Sequence, residues 1–162
     1  MTSQKASQMT SPTSLTLTRR IAARPAVVWE ALTTSEGLSA WMGPDDGPVL
    51  VAEAEPVVGG RFRVRFRTTD DSEHESRGEY VEVDPPNRLV MTWEWQGDED
   101  EGVSRVEITL RPVDGGTELT FIHSGLADEA TRDGHLEGWN GALDKLERHL
   151  AGGTPTPDRR IP

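Results

Sequence analysis

The sequence contains no cysteine. Disulfide bonds, thiolate nucleophiles and cysteine-ligated zinc sites are therefore excluded. The sequence also lacks any run of about 20 apolar residues, the length that a helix needs to span a bilayer. Its first residues lack the apolar segment of a secretory signal peptide. These absences predict a soluble, cytoplasmic protein.

Basic residues are scarce as well, because 17 Lys and Arg stand against 28 Asp and Glu and give a net charge of −11. A charge of this sign repels the phosphates of nucleic acids and anionic lipid surfaces. We therefore expect neither nucleic acid nor membrane as a partner. The four histidines are scattered and form no pair with the short spacing of metal ligands, so neither a metal site nor a cofactor is predicted.

One segment is locally basic. Its arginines are Arg61, Arg63, Arg65 and Arg67, and they alternate with Phe62, Val64 and Phe66. This alternation is typical of a strand with one wet and one buried face. One interpretation is an anion-binding ladder. The interpretation that we favour is that these arginines pair with glutamates across the neighbouring strand. Every second residue of that strand is a candidate partner, and the glutamates at such positions are Glu73, Glu75 and Glu79.

Four successive acids occupy residues 98–101, between Gly97 and Gly102. Acidic side chains suggest calcium, but these residues lack the oxygen spacing of a known calcium-binding loop. We interpret the segment as the solvated tip of a hairpin.

The hydrophobic pattern predicts an antiparallel α+β domain of seven strands, with two short helices after the first strand and one long helix at the end. The apolar stripe of that last helix consists of Leu136, Trp139, Leu143, Leu146 and Leu150. A chain of 162 residues suits one domain. We place it at residues 15–151. The flanking residues 1–14 and 152–162 are rich in small, polar or charged residues, and we predict that both are disordered tails.

Four stretches, in this order, resemble one known family. They are residues 21–29 followed by Leu38 and Trp41, residues 78–89 before Trp93, the turn at residues 115–117, and Gly138 with Trp139. They are similar to bacterial proteins that resemble the C-terminal domain of the activator of the heat-shock protein 90 ATPase, within the helix-grip (SRPBCC) superfamily. The resemblance implies a curved seven-stranded sheet that grips the C-terminal helix, with a cavity between the sheet, that helix and the two short helices.

Strand parity and the helical stripe give the candidate lining of this cavity. The apolar candidates are Trp41, Phe62, Phe66, Trp93, Phe121, Trp139 and Leu143. A lining this rich in aromatic rings suits the stacking of a planar ligand. The alternative is that the same side chains fill the interior. Trp95 shares the parity of Trp93 but lies near the end of its hairpin, which places it at the rim.

His123 is the polar candidate, because strand parity places its imidazole among inward-facing apolar residues. It is a candidate hydrogen-bond or acid–base group for a ligand, and the alternative is a structural histidine. His135 and Glu137, near the start of the last helix, are expected to face the entrance. Gly134, Gly138 and Gly141 lie opposite the apolar stripe of that helix, which indicates either close packing by a loop or a second subunit, or a tolerated irregularity.

We predict from these features a binding protein for a small hydrophobic or aromatic molecule, with no catalytic residue assigned. One alternative is an enzyme of cyclase or hydratase type that uses the same cavity. The other is an interaction module with a chaperone partner or a role in the stress response, which only the family resemblance suggests. A homodimer remains open, because the glycine face of the last helix would accept a second subunit.

Overall fold

The computed structural model describes residues 6–97 and 102–151. The acidic segment at residues 98–101 and the C-terminal segment at residues 152–162 lie outside the described residues, as do residues 1–5. None of the helices within the described part has both the length and the apolar character that a bilayer crossing requires.

The fold is α+β, as predicted, with one antiparallel sheet, two short helices and a long C-terminal helix. The strands are β1 (Ala6–Ser11), β2 (Ser14–Ile21), β3 (Val49–Ala54), β4 (Arg61–Arg67), β5 (Glu73–Asp84), β6 (Arg88–Trp95), β7 (Ser104–Val113) and β8 (Gly116–Ser124). The helices are α1 (Pro25–Thr33), α2 (Ser35–Trp41) and α3 (Glu129–Leu150). The strand order across the sheet is β1-β2-β8-β7-β6-β5-β4-β3.

The sheet has eight strands rather than the seven predicted, because β1 lies within residues 1–14, where we expected a disordered tail. β1 pairs antiparallel with β2, from Ala6 opposite Arg19 to Ser11 opposite Ser14. The side chains of residues 7–11 are exposed, so backbone hydrogen bonds rather than apolar burial hold this strand. The polar composition of this segment therefore gave no signal for a strand. The prediction of a disordered tail is wrong for residues 6–11, which form β1.

The two short helices follow local sequence signals. Pro25 stands at the first turn of α1, where its missing N–H leaves no hydrogen bond unmade. Thr34 caps α2, since its hydroxyl accepts a hydrogen bond of 2.9 Å from the backbone N–H of Gly37. The indole of Trp41 donates to the carbonyl of Ala31 and so ties the end of α2 to α1.

Helix α3 begins at the cap Asp128, whose carboxylate accepts from the backbone N–H of Thr131 at 2.8 Å. The inward face of the helix buries Trp139, Ala142, Leu143 and Leu146 against the sheet, with Leu136 and Leu150 partly buried. The predicted stripe is therefore the face that packs on the core. Arg19 of β2 adds a polar tie to the helix, with hydrogen bonds of 2.8 Å to Asp144 and 2.6 Å to Glu147.

The arginine strand β4 is paired with acids on both sides. Arg65 lies 2.8 Å from Glu73, Arg67 lies 3.2 Å from the same carboxylate, and Arg63 lies 3.2 Å from Glu53. Glu75 is buried beside Arg63 and Arg65. These ion pairs confirm that the basic segment pairs with Glu73 and Glu75 of the next strand, and they engage Arg63, Arg65 and Arg67 within the sheet.

Candidate functional site

A cleft of about 1160 Å³ opens between the sheet and the first half of α3. We call it the lateral cleft. Its walls are the loop at residues 42–45 after α2, the ends of β4 and β6 with the start of β5, and the face of α3 between Ala130 and Ala142. The aromatic side chains on these walls are Phe66, Trp93, Trp95 and Trp139.

The deep interior between sheet and helices is filled by side chains. Trp41, Phe62 and Phe121 border a void of only about 10 Å³, no more than a single water could occupy. Leu143 is also buried in this core, at 1% exposure. The structure thus separates the predicted lining into two groups, because Phe66, Trp93 and Trp139 line the lateral cleft whereas Trp41, Phe62, Phe121 and Leu143 pack behind it.

The rings along the cleft form one continuous cluster. The ring centroid of Trp93 lies 4.9 Å from that of Trp139 and 5.5 Å from that of Trp95. Phe66 lies 6.0 Å from Trp95 in an edge-to-face arrangement. Such tilted and edge-to-face geometries are favourable for aromatic pairs. Trp93 and Trp139 border both the small interior void and the lateral cleft, so their rings separate the core from the site.

His123 lies behind this partition and is fully buried. Its Nδ1 accepts a hydrogen bond of 3.0 Å from the indole N–H of Trp139, so the ring proton belongs on Nε2, which lies 2.7 Å from the hydroxyl of Ser104. That hydroxyl in turn donates to the carbonyl of Trp93 at 3.2 Å. Both nitrogens of His123 are thus satisfied inside the protein, and the lateral cleft is not lined by this residue, in contrast to its predicted place at a ligand.

The environment of His123 keeps its imidazole neutral. Burial lowers the pKa of His123 from 6.5 to about 3, and the neighbouring His135 adds to the shift. The two imidazole centroids are 4.8 Å apart. A ring held in this state serves as a fixed acceptor for Trp139 rather than as a proton carrier.

The entrance of the cleft carries the three residues that the sequence analysis expected at the rim or the entrance. His135, Glu137 and Trp95 all line it. The indole of Trp95 donates to Nε2 of His135 at 2.8 Å, and Nδ1 of His135 donates to the carbonyl of Thr131 at the same distance. Trp95 and Trp139 are therefore each anchored through an indole–imidazole hydrogen bond.

His74 and Ser76 also line the cleft, and the sequence analysis missed both. They follow the parity of β5, in which His74 pairs with Phe66 and Ser76 with Val64 on the inner face. The signal was therefore present in the strand register.

The glycine face of α3 is partly covered by the loop after α2. A Cβ added to Gly141 would stand 2.0 Å from the carbonyl oxygen of Pro44, so only glycine fits at this contact. The ammonium of Lys145 donates to the carbonyls of Met42 and Asp45 and holds the same loop on the helix. Close packing by a loop explains Gly141, whereas Gly134 and Gly138 border the cleft.

Comparisons with known proteins agree with this architecture. Residues 22–151 match the family described as Activator of Hsp90 ATPase homolog 1-like protein. A crystal structure of a Rhodobacter sphaeroides protein is 28% identical, covers 90% of this chain and 98% of its own, and has a TM-score of 0.75. For a Chromobacterium violaceum protein the identity is 25%, the coverage 88% and 100%, and the TM-score 0.81.

The AHSA1 protein of Silicibacter pomeroyi is 26% identical to this chain, with coverage of 85% and 97% and a TM-score of 0.76. None of the curated proteins is significantly similar in sequence. The family match spans most of the chain and includes the two short helices, the strands β3 to β8 and the gripped helix α3. The chain therefore belongs to the Activator of Hsp90 ATPase homolog 1-like family, with the helix-grip fold.

Proposed function

We propose that this protein binds a small hydrophobic or aromatic molecule in the lateral cleft. The observation that carries the proposal is the cleft itself, whose volume of about 1160 Å³ slightly exceeds the usual range of roughly 300–1,000 Å³ for small-molecule sites. Phe66, Trp93, Trp95 and Trp139 offer it ring faces and edges. Aromatic walls of this kind supply apolar area to bury and preferred geometries for planar rings.

The shape of the cleft is preorganised, which favours binding. Trp95 and Trp139 are held by hydrogen bonds to His135 and His123, and Trp93 is packed between them. Side chains that are already ordered lose little conformational freedom when a ligand arrives. The loop at residues 42–45, fixed by Lys145, forms a further wall.

The engagement of His135 favours a binding protein over a cyclase or hydratase. A general acid or base needs a ring nitrogen within reach of the substrate. Both nitrogens of His135 already have partners, which are Trp95 and the carbonyl of Thr131. His123 is buried behind Trp139 and kept neutral. His123 and His135 are thus committed to holding the indoles of Trp139 and Trp95.

A blocking variant tests the proposed function. Gly134 lines the cleft, and a Cβ at this position meets no other atom within 4 Å, so the variant Gly134→Leu should fold and occupy the site. We expect Gly134→Leu to weaken the binding of naphthalene, measured by quenching of tryptophan fluorescence, by at least about tenfold. The control His149→Leu places the same side chain on an exposed part of α3 outside the cleft and should bind like the parent.

Two results would contradict the proposed function. The first is a parent protein that binds no naphthalene and carries no co-purifying small molecule in native mass spectrometry. The second is unchanged binding by a folded Gly134→Leu variant, because the ligand would then occupy another place.

A further inference from the structure

His74 lines the open side of the lateral cleft, and one nitrogen of its imidazole is available to a ligand. The side chain lies on the inner face of the sheet, where its ring centroid is 5.6 Å from that of Phe66 and 6.3 Å from that of Trp95. The residue is exposed. Its Nε2 lies 3.1 Å from the hydroxyl oxygen of Ser72, whereas its Nδ1 has no hydrogen-bond partner among the described residues.

The turn between β4 and β5 determines which nitrogen of His74 carries the proton. The carboxylate of Asp70 accepts the hydroxyl protons of Ser72 and Thr68, both at 2.5 Å. These hydrogen bonds, that of Ser72 first, hold the pKa of Asp70 well below its usual value, so the carboxylate remains an acceptor. A hydroxyl group has one proton to donate. Because Ser72 donates it to Asp70, its oxygen can only accept from His74, and the proton of the neutral ring belongs on Nε2.

The free nitrogen points away from this turn. The two nitrogens of an imidazole are separated by one ring carbon, and their hydrogen-bond directions diverge widely. Since Nε2 of His74 is directed at Ser72, Nδ1 is directed away from it, and as the unprotonated nitrogen it is a hydrogen-bond acceptor. The other histidine that lines the cleft, His135, has both nitrogens engaged, by Trp95 and by the carbonyl of Thr131.

The turn that orients His74 is itself fixed. The backbone N–H of Thr68 donates to the carbonyl of Ser72 at 2.8 Å and closes the hairpin. Asp45, in the loop that forms another wall of the cleft, accepts from the backbone N–H and the hydroxyl of Thr69, each at 3.1 Å. An acceptor that is already oriented loses little conformational freedom when a ligand binds to it.

We propose that the lateral cleft selects an aromatic compound with a hydrogen-bond donor, such as a phenol, and that Nδ1 of His74 accepts this hydrogen bond. The ring system of the ligand packs against Phe66 and Trp95, which flank the imidazole. Ser72 and Asp70 are positioning residues, because they fix the tautomer of His74. This inference rests on the proposed binding function and adds the polar group that the ligand carries.

Three probes with the same ring system test the preference. Naphthalene has no polar group, 1-methoxynaphthalene has an oxygen that only accepts hydrogen bonds, and 1-naphthol has a hydroxyl that donates one. We expect the parent protein to bind 1-naphthol about threefold to tenfold more tightly than 1-methoxynaphthalene, as one additional hydrogen bond gives. Isothermal titration calorimetry measures the three affinities.

A substitution at His74 locates the effect. His74→Phe keeps an aromatic ring and removes both nitrogens, so the affinity ratio of 1-naphthol to 1-methoxynaphthalene should fall to about one. The ratio compares two ligands in the same protein and is therefore insensitive to a general loss of affinity. The control His149→Phe makes the same substitution on an exposed part of α3 outside the cleft and should keep the parental ratio.

A substitution at Ser72 tests the positioning role. ¹⁵N NMR of the parent near pH 8 should show His74 protonated on Nε2 and unprotonated on Nδ1. Ser72→Ala removes the acceptor of the Nε2 proton, so both tautomers should be populated. The preference for 1-naphthol should then fall, though less than in His74→Phe. The control Ser39→Ala removes an exposed hydroxyl of α2 and should keep the parental tautomer and preference.

The failure of the inference differs from the failure of the binding function. If the parent binds none of the three probes, both fail. If naphthalene binds but 1-naphthol is not preferred to 1-methoxynaphthalene, or if the preference survives in a folded His74→Phe, the inference is overturned and the binding function stands. A parental His74 protonated on Nδ1 overturns it as well. Should His74→Phe not fold, an unchanged tautomer and preference in Ser72→Ala overturn the inference.

Discussion

At the scale of single residues, the inward direction of the His123 side chain was predicted from the sequence, but its structural role was not. The alternation of apolar and polar residues along β8 correctly predicted that the side chain faces inward, and its exposed fraction is 0%. Its partners Trp139 and Ser104 come from α3 and β7, and a single sequence does not reveal such pairings.

His123 should make the stability of the protein depend on pH. In the unfolded chain this imidazole takes up a proton near pH 6.5, whereas the folded protein keeps it neutral down to about pH 3. Between these values the unfolded state binds more protons, so the free energy of unfolding falls as the pH falls, by up to about 1.4 kcal/mol per pH unit from this group. Urea titrations of the parent and of His123→Gln between pH 6.5 and 4 measure this contribution.

The variant His123→Gln should show a shallower loss of stability than the parent over that range, because glutamine does not titrate. His149→Gln serves as the control, since His149 is exposed, and it should keep the parental slope. Parallel curves for the parent and His123→Gln would contradict the assignment of a buried neutral imidazole.

At the scale of elements, the helices were more accessible to sequence reasoning than the edge of the sheet. The stripe of α3 was predicted because apolar side chains at a helical period must face the core. Strand β1 was missed because its order depends on backbone hydrogen bonds to β2, which carry no hydrophobic pattern. The sequence analysis expected the cavity between the sheet, α3 and the two short helices. Strand alternation predicts the direction of a side chain, but it does not predict how completely the neighbouring side chains fill the space.

The glycines of α3 provide a matched pair of substitutions. Gly134→Ala should raise the free energy of unfolding by up to about 1 kcal/mol, because alanine favours the helix and the added Cβ meets nothing within 4 Å. Gly141→Ala should lower it, because the Cβ would stand 2.0 Å from the carbonyl oxygen of Pro44 and force the loop or the helix to move. Denaturant melts of both variants measure the difference, and a stabilised Gly141→Ala would refute the close contact.

At the scale of the whole molecule, the ordered unit is longer at its N-terminus than the sequence predicted. The domain was placed at residues 15–151, whereas pairing with β2 and a hydrogen bond from the backbone N–H of Leu126 to the carbonyl of Thr13 hold the preceding segment. Mild digestion with proteinase K, followed by mass spectrometry, should therefore leave a core that starts before residue 12. A core that starts near residue 15 would show that β1 is not stably attached.

The position of the lateral cleft has a consequence for the rate at which a ligand exchanges. Its lining includes the exposed residues His74, Gln96 and Glu137, so one side of the site faces solvent. On the other side, Trp93 and Trp139 separate the site from the packed core. Entry therefore needs no opening of the grip between α3 and the sheet. The observed association rate should rise linearly with ligand concentration, without the plateau that a slow gating step imposes, and differences in affinity among ligands should reside mainly in their residence times.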